Sequence, residues 1–265
     1  YSEHDLSIDI ALIGNEIPEW TLVVSSGLHG VEGFFGSAIQ LALLAQFGSG
    51  RVLPGNGRIV LVHTINPFGF HFLRRVNEDN IDLNRNFTLS DQDYRGLSAD
   101  YDHLNDFLNP QSPPPLMEPL WLKVLALLTR AGVPALKFGI VSGQYDYPKG
   151  LFFGGRKAAR STCIVQSSIR RWLGGAQSAV HIDLHTGLGP FGTCKLLLSD
   201  GTTDVEWYRK WFGTESVEET VDENGTAYRS NGNMGRWLTQ QLSDLDYHYF
   251  NAEFGTYSPL RTLGA

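Results

Sequence analysis

Leu22-Val-Val-Ser-Ser-Gly-Leu28 runs straight into His29-Gly-Val-Glu32, and a helix-like segment continues to about Phe47. The apolar run reads as a strand. The segment after it carries Phe35, Ile39, Leu43 and Phe47 at a spacing of four, which stacks one helix face against a sheet. An imidazole and a carboxylate are therefore set together at the mouth of a strand-to-helix turn. Arg58-Ile-Val-Leu-Val-His63 follows as a nearly continuous apolar strand, the pattern expected when helices cover both faces of the sheet. Strand, helix and strand make one unit of an α/β fold.

Working outward, Leu6 to Ile13 alternates enough for a strand nearer an edge, with Gly14-Asn15 as a turn before Trp20 to Ser25. Residues 67 to 115 are rich in Asn, Asp, Pro and Gly and read mainly as loop. Helix-like segments are expected at Leu116 to Ala131, Ser161 to Leu173, Asp204 to Phe212 and Met234 to Leu242. Strands are expected at Ala135 to Val141, Ala179 to Asp183, Cys194 to Leu198 and Tyr247 to Glu253. Helices alternating with short apolar strands favour a three-layer α/β/α arrangement. At 265 residues the chain is expected to form a single domain over 1–265.

Hydrophobic residues at 42% and charged residues at 18% fit a globular protein. A formal net charge of -7 argues against a nucleic-acid binder, which needs basic patches to displace counterions. No apolar stretch approaches the roughly 20 residues that span a bilayer, so no membrane partner is expected. With no basic-then-apolar leader at its start, cytoplasmic location is the default expectation. Cys163 and Cys194 do not make a disulfide framework and are expected to be free, buried thiols.

Four polar clusters each sit beside a strand-like run: His29-Gly-Val-Glu32, Asn80 to Asn86, His181-Ile-Asp-Leu-His185 and Ala252-Glu253. Such loops gather at one edge of an open sheet. Zn²⁺ accepts imidazole nitrogen and carboxylate oxygen, and its catalytic sites commonly use three protein ligands. His29 and Glu32 supply two, and His185 is the third choice. His181 competes for that place, because it lies an even number of residues away on the same strand, but it falls deeper in the apolar segment. Asp183 either steadies a ligand or makes a core hydrogen bond. Glu253, followed by Gly255, is the proton-transfer candidate; its alternative is an exposed acid at a strand end.

Arg85 offers a two-pronged grip for a substrate carboxylate, Asn84 an amide donor beside it, and Asp82 an acceptor that stabilises their turn. Arg75 is the choice for stabilising negative charge on a tetrahedral intermediate, with Arg74 as the competing position. Tyr228 is a candidate to cap the substrate. Tyr145, Tyr147 and Phe152 are alternative pocket residues that ordinary aromatic packing would equally explain.

The ordered set of His29-Gly-Val-Glu32, Asn66-Pro-Phe-Gly69, Arg75 with Asp82-Leu-Asn84-Arg85-Asn86, Asp183-Leu-His185-Thr-Gly and Ala252-Glu253 resembles the zinc carboxypeptidase superfamily. Within it the match is to the compact branch near succinylglutamate desuccinylase and aspartoacylase, over residues 20 to 257. The resemblance implies a mixed, mostly parallel eight-stranded sheet between helices, and zinc on His29, Glu32 and His185. It also implies amide hydrolysis assisted by Glu253, with Arg75 polarising the scissile carbonyl and Asn84 and Arg85 gripping a carboxylate. The Asp-Leu-His-Thr pattern follows the desuccinylase-like branch rather than the His-Ser-Tyr of digestive carboxypeptidases. The expected function is zinc-dependent cleavage of an amide in a small carboxylate-bearing substrate, either a peptide C-terminus or an N-acyl amino acid. The competing reading is a metal-containing binding protein or an inactive scaffold.

Overall fold

A computed structural model describes residues 5–96, 99–110, 112, 142–199, 202, 204–219 and 231–257. The elements in chain order are β1 (Asp9–Gly14), β2 (Trp20–Ser26), α1 (Gly33–Gly48), β3 (Gly57–His63), α2 (Pro67–His71) and α3 (Ala99–Leu108). They continue with α4 (Arg160–Leu173), β4 (Ser178–Gly187), β5 (Cys194–Leu198), α5 (Val205–Phe212), β6 (Val217–Glu218), α6 (Met234–Gln241) and β7 (Asp246–Gly255). The strands form one sheet in the order β1-β3-β2-β4-β7-β5-β6. Pairing is parallel for β2–β3, β2–β4, β4–β7 and β5–β6, and antiparallel for β1–β3 and β5–β7.

Successive residues of the central strands feed two separate cores, as the two-residue period of a strand requires. Val23, Val60, Val62 and Ala179 pack with Val165, Ile169 and Trp172 of α4 and with Met234 and Leu238 of α6. On the opposite face Val24, Ile59, Leu61 and Leu184 meet Ile39, Leu43 and Phe47 of α1 and Tyr208 of α5. This is the expected three-layer α/β/α architecture. Each fully buried aliphatic side chain stabilises it by about 1.5–3 kcal/mol. Phe35 departs from the expected stripe: 42% exposed, it packs on Phe254 with ring centroids 4.5 Å apart. Gly36 lets α1 lie close on the sheet, because a Cβ there would run into Ser26 Cβ.

β4 and β7 are longer than the sequence suggests. Their ladder continues past the apolar run to Gly187 and Gly255, carrying the polar residues Asp183, His185 and Glu253 inside regular structure. The short β6 is not foreseen, since two residues carry no periodic signal. Seven strands are present among the described residues; the expected eighth strand, at Ala135 to Val141, and the expected helix at Leu116 to Ala131 lie outside them. Both cysteines are free, but both are exposed rather than buried. Cys163 lies on the outer side of α4, and Cys194 opens β5 where the strand emerges from a turn. Among the described residues no helix is long and apolar enough to cross a membrane.

Candidate metal centre

β2, β4 and β7 are adjacent and parallel, so their carboxyl ends open on the same edge of the sheet. The chain leaves β2 through Gly27, whose φ of +65° and contact with Thr64 exclude a side chain, and turns at Gly30–Glu32. That turn delivers His29 and Glu32 to the strand end. Ser26 is in register with Leu184, one residue before His185, and His185 is in register with Glu253 of β7. Residues far apart in sequence are thus brought together by sheet pairing alone.

Ligand atoms of His29, Glu32 and His185 all lie within 4.8 Å of one another. His29 Nδ1 is 2.9 Å from Glu32 Oε1, and His185 Nδ1 is 3.0 Å from Glu32 Oε2. The other nitrogen of each ring faces a buried carboxylate: His29 Nε2 is 3.1 Å from Asp82 Oδ1, and His185 Nε2 is 2.7 Å from Asp183 Oδ2. This is the carboxylate–histidine pairing that fixes ring orientation and leaves the opposite lone pair for a cation. His29 Nδ1 is buried and makes no hydrogen bond despite the nearby Glu32 oxygen. Two imidazole nitrogens and a carboxylate, one nitrogen orphaned, suit a divalent zinc ion.

The electrostatics agree. Burial opposes ionisation of Glu32, but His29 and His185 outweigh it and hold its carboxyl well below the ordinary range. Burial likewise opposes the charge on Asp82, where Arg75, His29 and Arg85 prevail, and on Asp183, where His185 and His181 prevail. His185 is raised well above an ordinary histidine: burial lowers it, and Asp183 and Glu32 more than reverse that. Without a metal, the proton held by His185 faces the Glu32 carboxylate across the 3.0 Å contact between Nδ1 and Oε2. A bound cation would displace that proton, which couples metal affinity to pH.

Arg75, not Arg74, faces the cluster. Its Nε donates to Asp82 Oδ2 at 3.0 Å, its Nη1 to Glu32 Oε1 at 3.2 Å, and its Nη2 is 2.7 Å from His29 Nε2. When His29 Nδ1 serves a cation, Nε2 carries the ring proton and Asp82 is its acceptor; Arg75 is then held by its two carboxylates. Arg74 contributes its carbonyl, which accepts from Val31 N–H. Glu253 is 5% exposed, so it is not the exposed strand-end acid of the alternative reading. Its Oε1 accepts from Leu188 N–H at 2.8 Å. Burial raises its pKa, against the lowering influence of His185.

Asn84 and Arg85 sit on a 3-10 turn, Leu83–Arg85, capped by Asp82 accepting from Asn84 N–H. Asn84 Oδ1 accepts from Met234 N–H at 3.1 Å, leaving its amide hydrogens as what it can offer a ligand. Arg85 is completely buried, with Nη1 donating to the Asn84 carbonyl. Phe152 adjoins both cations, its ring centroid 5.4 Å from the Arg75 guanidinium carbon and 5.7 Å from that of Arg85. Tyr145 holds the turn from behind, donating to the Arg85 carbonyl at 2.8 Å. Tyr147 lies apart, donating to Asp102. Tyr228 is outside the described residues.

His181 does not join the cluster; it is hydrogen-bonded to Ser25 and Tyr247. The residue missed from sequence is Asp82 in its larger role. Its turn-capping is legible, but nothing in the spacing announces an imidazole 53 positions away. Ser25 is missed too, since one serine in an apolar strand is unremarkable.

In comparisons with solved structures, carboxypeptidase A from Helicoverpa armigera superposes with a TM-score of 0.52 at 13% identity, over 95% of this chain and 60% of that one. The succinylglutamate desuccinylase from Chromobacterium violaceum gives 0.48 at 14% identity, over 94% and 57%. The murein-tripeptide amidase from Escherichia coli O157 gives 0.43 at 16% identity, over 92% and 76%. The chain therefore spans less than two thirds of the length of the first two. The carboxypeptidase likeness is one of fold. No curated protein matches the sequence. Over residues 1–265 the chain belongs to the family described as protein of unknown function, DUF2817.

Proposed function

We propose that this chain is a zinc-dependent hydrolase that cleaves an amide bond in a small substrate bearing a carboxylate, a peptide C-terminus or an N-acyl amino acid. The observation that carries the reading is the meeting of His29 Nδ1, His185 Nδ1 and the Glu32 carboxylate at one point, beside the buried acid Glu253 and the cation Arg75. Zinc supplies, when bound, the Lewis-acid charge that polarises a carbonyl oxygen and acidifies water. Glu253 takes the proton of the attacking water and returns it to the departing nitrogen; its raised pKa suits both tasks. Arg75 donates to the carbonyl oxygen as negative charge develops there. Its side chain is one third exposed and braced by Asp82 and Glu32. Asn84 donates to the substrate carboxylate, with the buried charge of Arg85 behind it.

The test is hydrolysis of a panel of C-terminal peptides and N-acyl amino acids by zinc-loaded protein, alongside metal-free protein and Glu253→Gln. Turnover that requires zinc, and that falls about 10²–10⁴-fold in E253Q while zinc is retained, is the expected result. Zinc binding without turnover across the panel would favour the binding-protein reading.

A further inference from the structure

Behind the metal cluster lies a buried polar chain that the proposed reaction does not use. Ser25 Oγ is 2.6 Å from Asp183 Oδ1 and 2.8 Å from His181 Nε2, and Tyr247 Oη is 2.7 Å from His181 Nδ1. A serine hydrogen-bonded to a histidine resembles a nucleophile with its base, yet Ser25 is fully buried and His181 is 2% exposed. No reacting carbonyl reaches them. Their hydrogens can be assigned by counting.

A hydroxyl carries one hydrogen. Ser25 donates that hydrogen to Asp183 Oδ1 at 2.6 Å. The serine then has only lone pairs for His181, whose Nε2 must carry a proton. Burial keeps that ring neutral, its pKa pushed down to about 4, so Nδ1 is an acceptor. It is filled by the Tyr247 O–H, which burial holds well above the usual tyrosine range and therefore protonated. Every hydrogen in the chain points toward Asp183. The other oxygen, Oδ2, is left to accept from His185 Nε2–H at 2.7 Å; the Tyr249 hydroxyl, 3.2 Å from Oδ2, lies closer to Asn251 Oδ1, at 2.7 Å.

We infer that Ser25, His181 and Tyr247 are positioning residues for the ligand His185. Their one-way chain ends on Asp183 Oδ1 and leaves Oδ2 to accept from His185 Nε2–H, which turns His185 Nδ1 toward Glu32 and His29. This rests on the reading of His29, Glu32 and His185 as metal ligands. Sheet register makes the arrangement rigid, because Ser25 pairs with Asp183 across β2 and β4, and His181 with Tyr249 across β4 and β7. Deleting a link would leave buried donors or acceptors unpaired and allow the imidazoles to exchange tautomers.

The experiment measures zinc affinity by chelator competition, and the visible absorption bands of the cobalt-substituted protein, for wild type, Ser25→Ala and Tyr247→Phe. Melting temperatures of the metal-free forms are recorded alongside. S25A is expected to weaken zinc binding about tenfold, the lower end of the range for outer partners of a ligand, and to shift the cobalt bands. Y247F removes one hydroxyl that touches no ligand, and is expected to act in the same direction by about threefold, below that range. It decides the matter should S25A fail to fold. Unchanged zinc affinity and cobalt bands in the folded variants, with wild type binding zinc, would overturn the inference even if their melting temperatures fall. Wild-type protein that binds no zinc would overturn the metal reading itself, and this inference with it.

Discussion

The metal-holding half of the site and the half proposed to hold a substrate anion are built in different ways. His185, Asp183 and Glu253 project from regular strands, and their spacing follows from the register of β4 against β7. Arg75, Asn84 and Arg85 belong to turns between α2 and α3, where no ladder sets positions. They are fixed instead by side chains bonded to backbone: Asp82 to Asn84 N–H, Tyr145 to the Arg85 carbonyl, and Asn66 Nδ2 to the Arg75 carbonyl. Close packing completes the clasp, since a Cβ at Gly143 would strike the Arg85 side chain and one at Gly232 its carbonyl. A sheet edge gives precision cheaply to residues two apart. An irregular loop needs a dedicated bond for each.

Arg75 and Asp82 join the halves, so the sharpest way to break the comparison is to cut there. Arg75→Ala is expected to lower turnover about 10²–10³-fold, the scale for losing a donor aimed at a developing oxyanion. Zinc content should be retained, because His29 keeps Asp82 and Glu32 keeps its place opposite both imidazoles. Arg75→Lys should recover little, since an ammonium cannot span Asp82 and Glu32 as the guanidinium does. Steady-state kinetics with metal analysis on the same samples decides it. Wholesale loss of zinc in R75A would place Arg75 in the metal-holding half.

The same contrast explains what could be read from the sequence. His29, Glu32, His185 and Glu253 were legible because each is anchored to a periodic apolar run, and strand alternation put Asp183 on the same face as His185. The choice of His185 over His181 was legible as well: the deeper histidine is consumed by Ser25 and Tyr247. The burial of Arg85 was not, since it depends on Gly143, Phe152 and Gly232 arriving from distant turns. The second role of Asp82 was hidden for the same reason. Thiol exposure also escaped the reading, because cysteine composition favours burial while Cys163 and Cys194 face outward locally.

A smaller effect sharpens the picture of the metal-holding half as a network satisfied in one protonation state. His181 has its folded-state pKa pushed down to about 4 by burial, below the ordinary value of 6.5. Protonation therefore favours the unfolded chain. Its contribution is intact above pH 6.5 and is lost as pH falls toward 4, a loss of about 3 kcal/mol at the limit. Urea unfolding of the metal-free protein between pH 7.5 and 4.5 should show this slope in wild type and a shallower one in His181→Gln. Equal slopes would mean that His181 is not held neutral by its surroundings.

The smallest expected effect lies in the anion-holding half, where Asn84 serves the fold with one end and is proposed to serve the substrate with the other. Its Oδ1 accepts from Met234 N–H at the start of α6, while Asn233 caps the same helix by accepting from Arg236 N–H. Met234 is fully buried, so Asn84→Ala would leave its N–H without that acceptor and should destabilise the protein by about 1 kcal/mol. Asn84→Asp keeps an oxygen in place and adds a negative charge at a helix N-terminus, where it is favourable. It also removes the amide hydrogens offered to a substrate carboxylate. The two variants therefore separate the roles: N84A should lower stability and raise KM, whereas N84D should raise KM with stability preserved. Denaturation curves and KM measured on both decide between a residue that binds substrate and one that only ties the loop to α6. If N84D leaves KM at the wild-type value, the carboxylate is held elsewhere, and Arg75 becomes the cation to examine for that contact.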